Sequence, residues 1–482
     1  MAIDEIKKFI AEQELHQENR YVPKTENPEG KFFEEKIAVI GAGPAGMSAA
    51  YYLRSKGYPV TVFEKESRPG GMLMNGIPSF RLEKSVIEAE IDVLRQMGVE
   101  FKCGVTVGED VTIEDLRKEG YKAFYLAIGA QGGRKTGVPG EDAQGVQTGV
   151  EFLRSVNLDE EGVKLTGRTV VVGGGNVAVD VARTALRTGS AEVSMYCLET
   201  RDIMPASDEE VAEAEEEGIL VNNGWGPKEI LTENGKVIGI VFKKCLSVYD
   251  EEKRFRPQYD EKNCMTILCD HVLISVGQSI LWGDLLKGTK VELNGNGSVK
   301  ADAVTYQTAE PDIFVGGDVY TGPKFAIDAI AAGKEGCVSI NRFVHKGHSL
   351  TLGRNRRQFI ELDKSNIQID EESFDNAKRQ IPGKKAGEAI GTFRDLRSTF
   401  TEEQVKAEAG RCLGCGATVV DENKCIGCGL CTTKCEFDAI HLSRDLPEAS
   451  HMYKAEDKLK AILPYTIKRE IKIKKAQKKN KN

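Results

Sequence analysis

No run of apolar residues in this chain approaches the roughly 20 that a helix needs to cross a bilayer. The opening stretch, MAIDEIKKFIAEQELHQ, carries acids early and lacks the apolar core of a secretory leader. Positive charge is also in short supply. With 66 Lys and Arg against 74 Asp and Glu, the net charge is −8, which favours solubility and speaks against nucleic-acid binding. These absences lead us to expect a soluble, cytoplasmic protein with neither a membrane nor a nucleic-acid partner. Cysteine is missing from the first hundred residues, the first being Cys103. Of the twelve cysteines, six are scattered (Cys103, Cys197, Cys245, Cys264, Cys269, Cys337) and six crowd together near the C-terminus. In a reducing compartment the scattered six read as small buried apolar residues and the crowded six as metal ligands.

What is present is glycine in pattern. IAVIGAGPAGMSAA, from Ile37, places Gly41, Gly43 and Gly46 directly after a strand and at the opening of a helix that runs through Leu53. Such a loop turns tightly at the first glycine and admits a pyrophosphate backbone at the second. The third lets the helix pack closely, and the helix N-terminus faces the phosphates. The next strand, PVTVFE, ends on Glu64, where a carboxylate can accept hydrogen bonds from an adenosine ribose. The pattern recurs in TVVVGGGNVAVDVA, from Thr169, with Gly173, Gly175 and Ala178 as its marks and Gly174, Asn176 and Val177 between them. Its following strand, EVSMYCLE, ends near Glu199. An acid there suits the free 2′-hydroxyl of NAD(H) and repels the 2′-phosphate of NADP(H), whereas Arg201 two residues on could still reach that phosphate. NAD(H) is favoured, NADP(H) stays open, and a solvated surface acid is the plain alternative for Glu199.

Between and after the fingerprints, GKVIGIVFKKCLSV, CMTILCD and HVLISVGQ read as a small antiparallel insert returning to a sheet. PDIFVGGDVYTGPKFAIDAIAAGKEGCVSINRFV reads as a strand, a glycine turn and an apolar-striped helix. Residues 346–405 form a polar linker of mixed charge, and a lysine-rich tail, taken as solvated or disordered, closes the chain.

The crowded cysteines are Cys412, Cys415, Cys425, Cys428, Cys431 and Cys435. The last four follow the Cys-x2-Cys-x2-Cys-x3-Cys spacing of bacterial ferredoxins, with Glu436 where proline is usual. Cys425, Cys428 and Cys431 are expected to hold a [4Fe–4S] cluster, with a fourth ligand from elsewhere. Six thiols cannot complete two four-cysteine cubanes, so a second iron–sulfur centre needs another ligand type or a smaller core. Asp421 and His441 lie near enough in sequence to be weighed, and a structural role is the simpler account of each. Zinc is the competing metal.

With these motifs in hand, FVGGDVYTGPKFAIDAIAAG, RPGGMLMNGIPSFRL (from Arg68) and the MPA at Met204 make the chain resemble the two-dinucleotide-binding flavoproteins. Within them it is most similar to the glutamate synthase small-subunit branch, which includes the FAD subunits of ferredoxin:NADP transhydrogenases. The resemblance covers about residues 36–345. It implies an α/β fold with two Rossmann-like dinucleotide-binding domains and a small C-terminal ferredoxin-like Fe–S domain. The FAD-binding domain would be discontinuous (36–140 and 285–345), with the NAD(P)-binding domain (141–284) inserted into it. An N-terminal helix and arm (1–35), the linker, the cysteine domain (406–445) and a basic tail (446–482) make up the rest.

By the same resemblance FAD would lie on the first fingerprint, including Pro44 and Ala45, and along Glu64 and Lys65. Gly71 and Met72, Ala127 and Gly129 of the AIGA turn, Gly317 and Asp318, and Phe325 and Ala326 would complete its site. Asp318 would bond the ribityl chain, and the helix near Phe325 would aim its positive end at the flavin. The sequence departs from the family in three ways: iron–sulfur cysteines follow the fingerprints instead of preceding them, Leu198 and Glu199 replace paired arginines, and no CxxC accompanies the flavin motifs. The implied function is an NAD(P)H-linked flavoprotein subunit that passes electrons through FAD and its Fe–S centre to a larger redox subunit or ferredoxin. Such a subunit belongs to a hetero-oligomeric complex, in which electron bifurcation is an option that no residue requires. A self-contained flavin oxidoreductase and a non-catalytic relay or scaffold subunit are the rival readings.

Overall fold

The computed structural model describes residues 1–25, 32–345, 347–354, 377–385, 389–412, 420, 424–434, 440–443 and 454–479. It divides into two compact units, Met1–Gln368 with Lys378–Ala409 and Ile369–Ala377 with Gly410–Asn482.

The first unit opens on helix α1 (Ile3–Leu15) and then alternates strand and helix: β1 (Lys36–Ile40), α2 (Pro44–Ser55), β2 (Val60–Glu64), α3 (Met72–Asn75), α4 (Lys84–Gln96), β3 (Glu100–Cys103), α5 (Ile113–Lys118) and β4 (Tyr121–Leu126). Ile37 to Ile40 are buried on both faces, as a central parallel strand demands. Pro44 occupies the first turn of α2, where its missing N–H costs nothing. A short strand β5 (Gly132–Gly133) leads out of this layer.

A second alternation follows: β6 (Val146–Thr148), α6 (Gly149–Leu158), β7 (Arg168–Val172), α7 (Asn176–Arg187), β8 (Glu192–Cys197), α8 (Asp208–Glu216) and β9 (Leu220–Asn223). Thr148 caps α6 through a reciprocal box with Glu151, which fixes where that helix begins. The antiparallel strands β10 (Trp225–Glu233), β11 (Lys236–Tyr249) and β12 (Phe255–Leu268) form the insert, and β13 (His271–Ile274) returns to the parallel layer. Tyr196 and Phe242 stack at 4.3 Å where insert and layer share a core. Strand β14 (Gln278–Ser279) runs back against β5. Then come β15 (Ile313–Val315), α9 (Asp318–Thr321) and α10 (Ala326–Val344).

The two parallel sheets have the orders β15-β4-β1-β2-β3 and β6-β13-β7-β8-β9. In each the strand order reverses at the fingerprint strand, β1 or β7, and a crevice opens at the carboxyl ends of the strands at such a switch point.

Three features differ from the sequence expectation. The described part of the polar linker is stitched to the N-terminal helix rather than hanging free. The Glu408 carboxylate accepts from the backbone N–H groups of Ala2 at 2.6 Å and Gln380 at 2.8 Å, Lys8 pairs with Asp395, and Arg397 pairs with Glu5. Apart from the Gln380 bond, these contacts span 387 to 406 positions, so no local pattern announces them. Helix α11 (Glu402–Gly410) belongs to the first unit up to Ala409, and the second unit holds the short α12 (Leu430–Lys434) and the long α13 (Ala455–Lys479). The lysine-rich tail is therefore helical through residue 479. Its Lys, Leu, Ala and Arg are good helix formers, and that propensity outweighs the repulsion of a cationic block. Of the scattered cysteines, Cys264 is exposed and Cys103 half-buried, contrary to a uniformly buried set, while the other four are buried. No helix among the described residues is long and apolar enough to cross a membrane.

Candidate functional site

At the first switch point, the Gly41 N–H donates to the Phe63 carbonyl at 2.8 Å, and that of Ala127 donates to the Ile40 carbonyl at 2.8 Å, so the ends of β1, β2 and β4 are knotted together. Gly41 has φ +102°, and a Cβ there would stand 2.5 Å from the Ala127 carbonyl oxygen. A Cβ at Gly46 would overlap the Gly41 carbonyl oxygen outright. Only glycine lets α2 start this close to the strand, and that closeness brings the free N–H groups of its first turn to the crevice. Gly43 is the residue preceding α2, with Pro44 and Ala45 in its first turn.

Glu64 ends β2 and is buried. Its carboxylate accepts from the Ala42 N–H at 2.7 Å and the Glu66 N–H at 2.9 Å, and each oxygen retains a lone pair for a further donor. Burial pushes its pKa up, against the pull of those two N–H groups. A solvent-open pocket lies beside it, lined by Gly41, Glu64, Lys65, Ile128 and Gly129, with an apolar wall of Val105, Val107, Trp282 and Leu285. That wall was not anticipated from the sequence, because Trp282 and Leu285 arrive from beyond the second layer.

The remaining candidates sit around the same crevice. Gly71 approaches Gly43 so closely that a Cβ on it would lie 2.7 Å from the Gly43 Cα, and Met72 begins the short helix behind it. A Cβ on Gly317 would touch the Ala45 side chain at 3.0 Å, which brings the Asp318 turn to the start of α2. Asp318 is half-buried, with its pKa raised by burial, and accepts from the Lys324 N–H at 3.3 Å. Phe325 precedes α10 and Ala326 begins it. Both are exposed, Phe325 at 74%. The Ser48 hydroxyl donates to the Ile330 carbonyl at 2.7 Å, locking α10 onto α2. Two helix N-termini, a buried acid with spare acceptors and an apolar wall able to take a flat ring fit a dinucleotide with an aromatic group at each end, so the residues present suit FAD.

The second switch point repeats the design. The Gly173 N–H donates to the Tyr196 carbonyl at 2.9 Å, and Gly175 precedes α7, with open space where its side chain would be. Asn176 and Val177 begin α7 and Ala178 is fully buried beneath it. The Glu199 carboxylate borders the loop, 2.9 Å from where a Gly174 Cβ would stand. Arg201, exposed in the turn beyond, reaches Glu215 with both terminal nitrogens at 3.4 Å. The MPA turn closes over this loop: the Ala206 N–H donates to the Gly174 carbonyl at 3.0 Å, and the Ser207 N–H donates to the Asn176 side-chain oxygen at 2.9 Å.

In the second unit, Cys412, Cys425, Cys428 and Cys431 are exposed free thiols, whereas Cys415, Cys435 and Asp421 lie outside the described residues. Gly427 and Gly429 have φ +68° and +78°, and the Gly427 N–H donates to the Cys425 sulfur at 3.4 Å. Three thiols separated by two left-handed glycines, with an N–H aimed at sulfur, suit an iron–sulfur cluster as a donor set. Among the described residues no three candidate ligands converge on one point. His441 is exposed.

Comparison with known proteins places these features in context. Residues 35–333 match the pyridine nucleotide-disulphide oxidoreductase family, and residues 418–441 match the 4Fe-4S binding domain. The chain is 36% identical over 394 residues to the NADP(+)-dependent formate dehydrogenase subunit beta of Moorella thermoacetica, covering 79% of this chain and 54% of that one. It thus spans about half the length of that relative. It is 34% identical to the NAD-dependent dihydropyrimidine dehydrogenase subunit PreT of Escherichia coli K12, covering 64% of this chain and 68% of PreT. It is 37% identical to the glutamate synthase [NADPH] small chain of Halomonas elongata, covering 63% and 66%. FprA of Mycobacterium tuberculosis, solved with NADPH, shares the fold at a TM-score of 0.56 and 20% identity, over 64% of this chain and 84% of that one. FAD, a nicotinamide dinucleotide and a [4Fe–4S] cluster are the cofactors these matches indicate.

Proposed function

The chain belongs to the pyridine nucleotide-disulphide oxidoreductase family, and from that premise we propose that it is the nicotinamide- and flavin-carrying subunit of a larger redox enzyme. In this reading it moves electrons between NAD(P)H, FAD and one or more C-terminal [4Fe–4S] clusters, and onward to or from a partner subunit or ferredoxin. The observation that carries it is the presence, in one chain, of two glycine-loop cradles on two parallel sheets and a ferredoxin-type run of thiols.

When bound, the flavin exchanges hydride with the nicotinamide and single electrons with an iron centre, which makes it the natural converter between the two currencies. The protein supplies position and field. Gly41, Gly43 and the start of α2 would hold the FAD pyrophosphate, and Glu64 would hold its adenosine ribose. Asp318 and the start of α10 would hold the flavin end, where a helix N-terminus favours negative charge. Gly173, Gly175 and the start of α7 would hold the nicotinamide dinucleotide, with Glu199 beside its adenosine ribose. Because Glu215 occupies Arg201, NAD(H) is the preferred partner. Cys425, Cys428 and Cys431 would ligate a cluster.

The exit route has support too. The six cysteines of the first unit are unpaired thiols, and none lines the cavity beside Glu64, which favours departure through iron over a disulphide relay. The relatives named subunit or small chain favour assembly with a partner. The test is NADH- and NADPH-dependent viologen reduction by the anaerobically purified, FAD-loaded chain. Viologen reduction without turnover of any small physiological acceptor is expected. Absence of nicotinamide oxidation leaves only a scaffold role.

A further inference from the structure

The two cradles are joined by a continuous line of contacts that neither fingerprint includes. It starts at Gly43, against which Gly71 is packed, and follows α3 into the loop that carries Phe80 and Arg81. Arg81 then crosses to the second layer. Its Nη1 donates to both oxygens of Asp180 at 2.9 Å, and its Nη2 donates to Glu210. Asp180 is buried in the middle of α7, the helix whose N-terminus forms the second cradle. Glu210 lies in the first turn of α8, just after the MPA turn that closes over Gly174 and Asn176. One guanidinium therefore touches both elements that frame the second cradle while its own backbone continues from the first.

Asn157 and Arg154 also cross between the layers, to the Asn75 carbonyl at 3.0 Å and to Glu66 at 2.7 Å, but neither hydrogen-bonds to α7 or α8, and the cations nearest Arg81 are committed elsewhere. Arg183 is committed to Glu213 and Glu217, at 2.6 and 2.8 Å. Lys84 turns its ammonium to the carbonyls of Leu73 and Ile77, bracing the same loop from within. The Phe80 ring lies under Arg183 and Arg187, 4.9 and 4.0 Å from their guanidinium carbons. The stitched connector crosses the same seam: Arg187 donates to the Thr392 carbonyl at 3.0 Å, and Arg394 reaches Glu83 at 3.5 Å. Arg81 is itself 31% exposed, but it spends one nitrogen on both oxygens of the buried Asp180 and the other on Glu210. Breaking such a charge-assisted contact strands a buried charge, and the shared guanidinium ties the geometry of its two partners together.

We propose that Arg81 is a positioning residue for hydride exchange, holding the nicotinamide cradle at a fixed distance and angle from the flavin cradle. This rests on the functional reading above. Small misplacements of reacting groups are costly because productive transfer needs near-contact geometry. Loss of Arg81 should then slow the transfer without loosening the nucleotide.

Anaerobic stopped-flow reduction of the FAD-loaded full chain by NADH and by NADPH separates the saturated rate from the nicotinamide Kd. Arg81→Met is expected to lower the saturated rate at least tenfold with Kd changed less than threefold, and Arg81→Lys to recover part of the loss. Because Arg81→Met leaves Asp180 stranded, the double variant Arg81→Met/Asp180→Asn removes both charges. It should regain thermal stability yet remain as slow as the single variant. Its ligand-free form should show faster amide exchange over residues 71–82 and 204–210. A wild-type saturated rate, or wild-type exchange, in the double variant overturns the proposal. Should neither variant load FAD, Glu210→Gln is expected to slow the step about threefold, and an unchanged rate there is equally fatal. A wild-type chain whose flavin neither nucleotide reduces sinks the functional reading instead.

Discussion

The third position of each glycine fingerprint offers a sharp comparison, since it is Gly46 in one and Ala178 in the other. In Gly46→Ala, the new methyl overlaps the Gly41 carbonyl oxygen, part of a backbone already bonded on both sides, and meets Val39 Cγ1 at 3.2 Å. Overpacking typically costs about 1–3 kcal/mol, and a backbone obstacle that cannot swing aside belongs at the upper end. Against that, alanine gains about 1 kcal/mol of helix propensity over glycine. The clash wins, leaving a net loss of roughly 2 kcal/mol. Relief requires the first turn of α2 to lift off the strand, which removes its N–H groups from the phosphates. At about 1.4 kcal/mol per decade, FAD affinity should fall roughly 30-fold. The reciprocal change, Ala178→Gly, forfeits helix propensity and one buried methyl, about 2 kcal/mol together, but removes no obstacle. It should destabilise the second layer and leave FAD affinity alone. Titration of the apo chain with FAD, followed by flavin fluorescence, and thermal unfolding of both variants decide the matter. If Gly46→Ala holds FAD within threefold of wild type while keeping its melting temperature, the close-approach argument is wrong.

Three further outcomes follow from the site. Glu199→Ala should lower the NADH:NADPH ratio of kcat/KM about tenfold, and an unchanged ratio would remove Glu199 from the ribose site. Burial pushes Asp180 up to about 6 despite Arg81, so between pH 4 and 6 the folded chain holds this proton more tightly than the unfolded one. Its contribution to stability therefore falls as pH rises through that window, and the advantage of wild type over Asp180→Asn should shrink by about 3 kcal/mol from pH 4 to 7 in urea melts. A pH-independent difference refutes the buried-acid account. Finally, Cys425→Ser should lose iron and acid-labile sulfide after anaerobic reconstitution while retaining FAD, and zinc in place of sulfide would end the cluster assignment.

The turn from β1 through Gly41 to α2 could be read from the chain alone because strand, glycine spacing and terminal acid are all local signals. Asp318 and Phe325 came only through resemblance: nothing near them in sequence says that their turn meets Ala45, some 270 positions upstream. The apolar wall with Trp282 and the Arg81 seam escaped notice for the same reason. Their partners lie on other elements, and an arginine in a loop carries no sign of the buried acid it will meet. The connector and α1 were invisible as a pair, being opposite ends of the chain joined through Glu408 and Arg397.

Strand β15 completes the first sheet by pairing Ile313 to Val315 with Phe124 to Leu126, after the whole second layer has intervened. On the ribosome, then, the earlier layer waits. Its edge beside β4 stays open until the later layer, contiguous in the chain, has had time to fold. Helix α10, whose start is proposed to face the flavin, emerges later still. On that placement prosthetic-group loading is timed to the last third of synthesis, and a ribosome stalled before residue 313 would present a nascent chain with the second cradle built and the first unfinished.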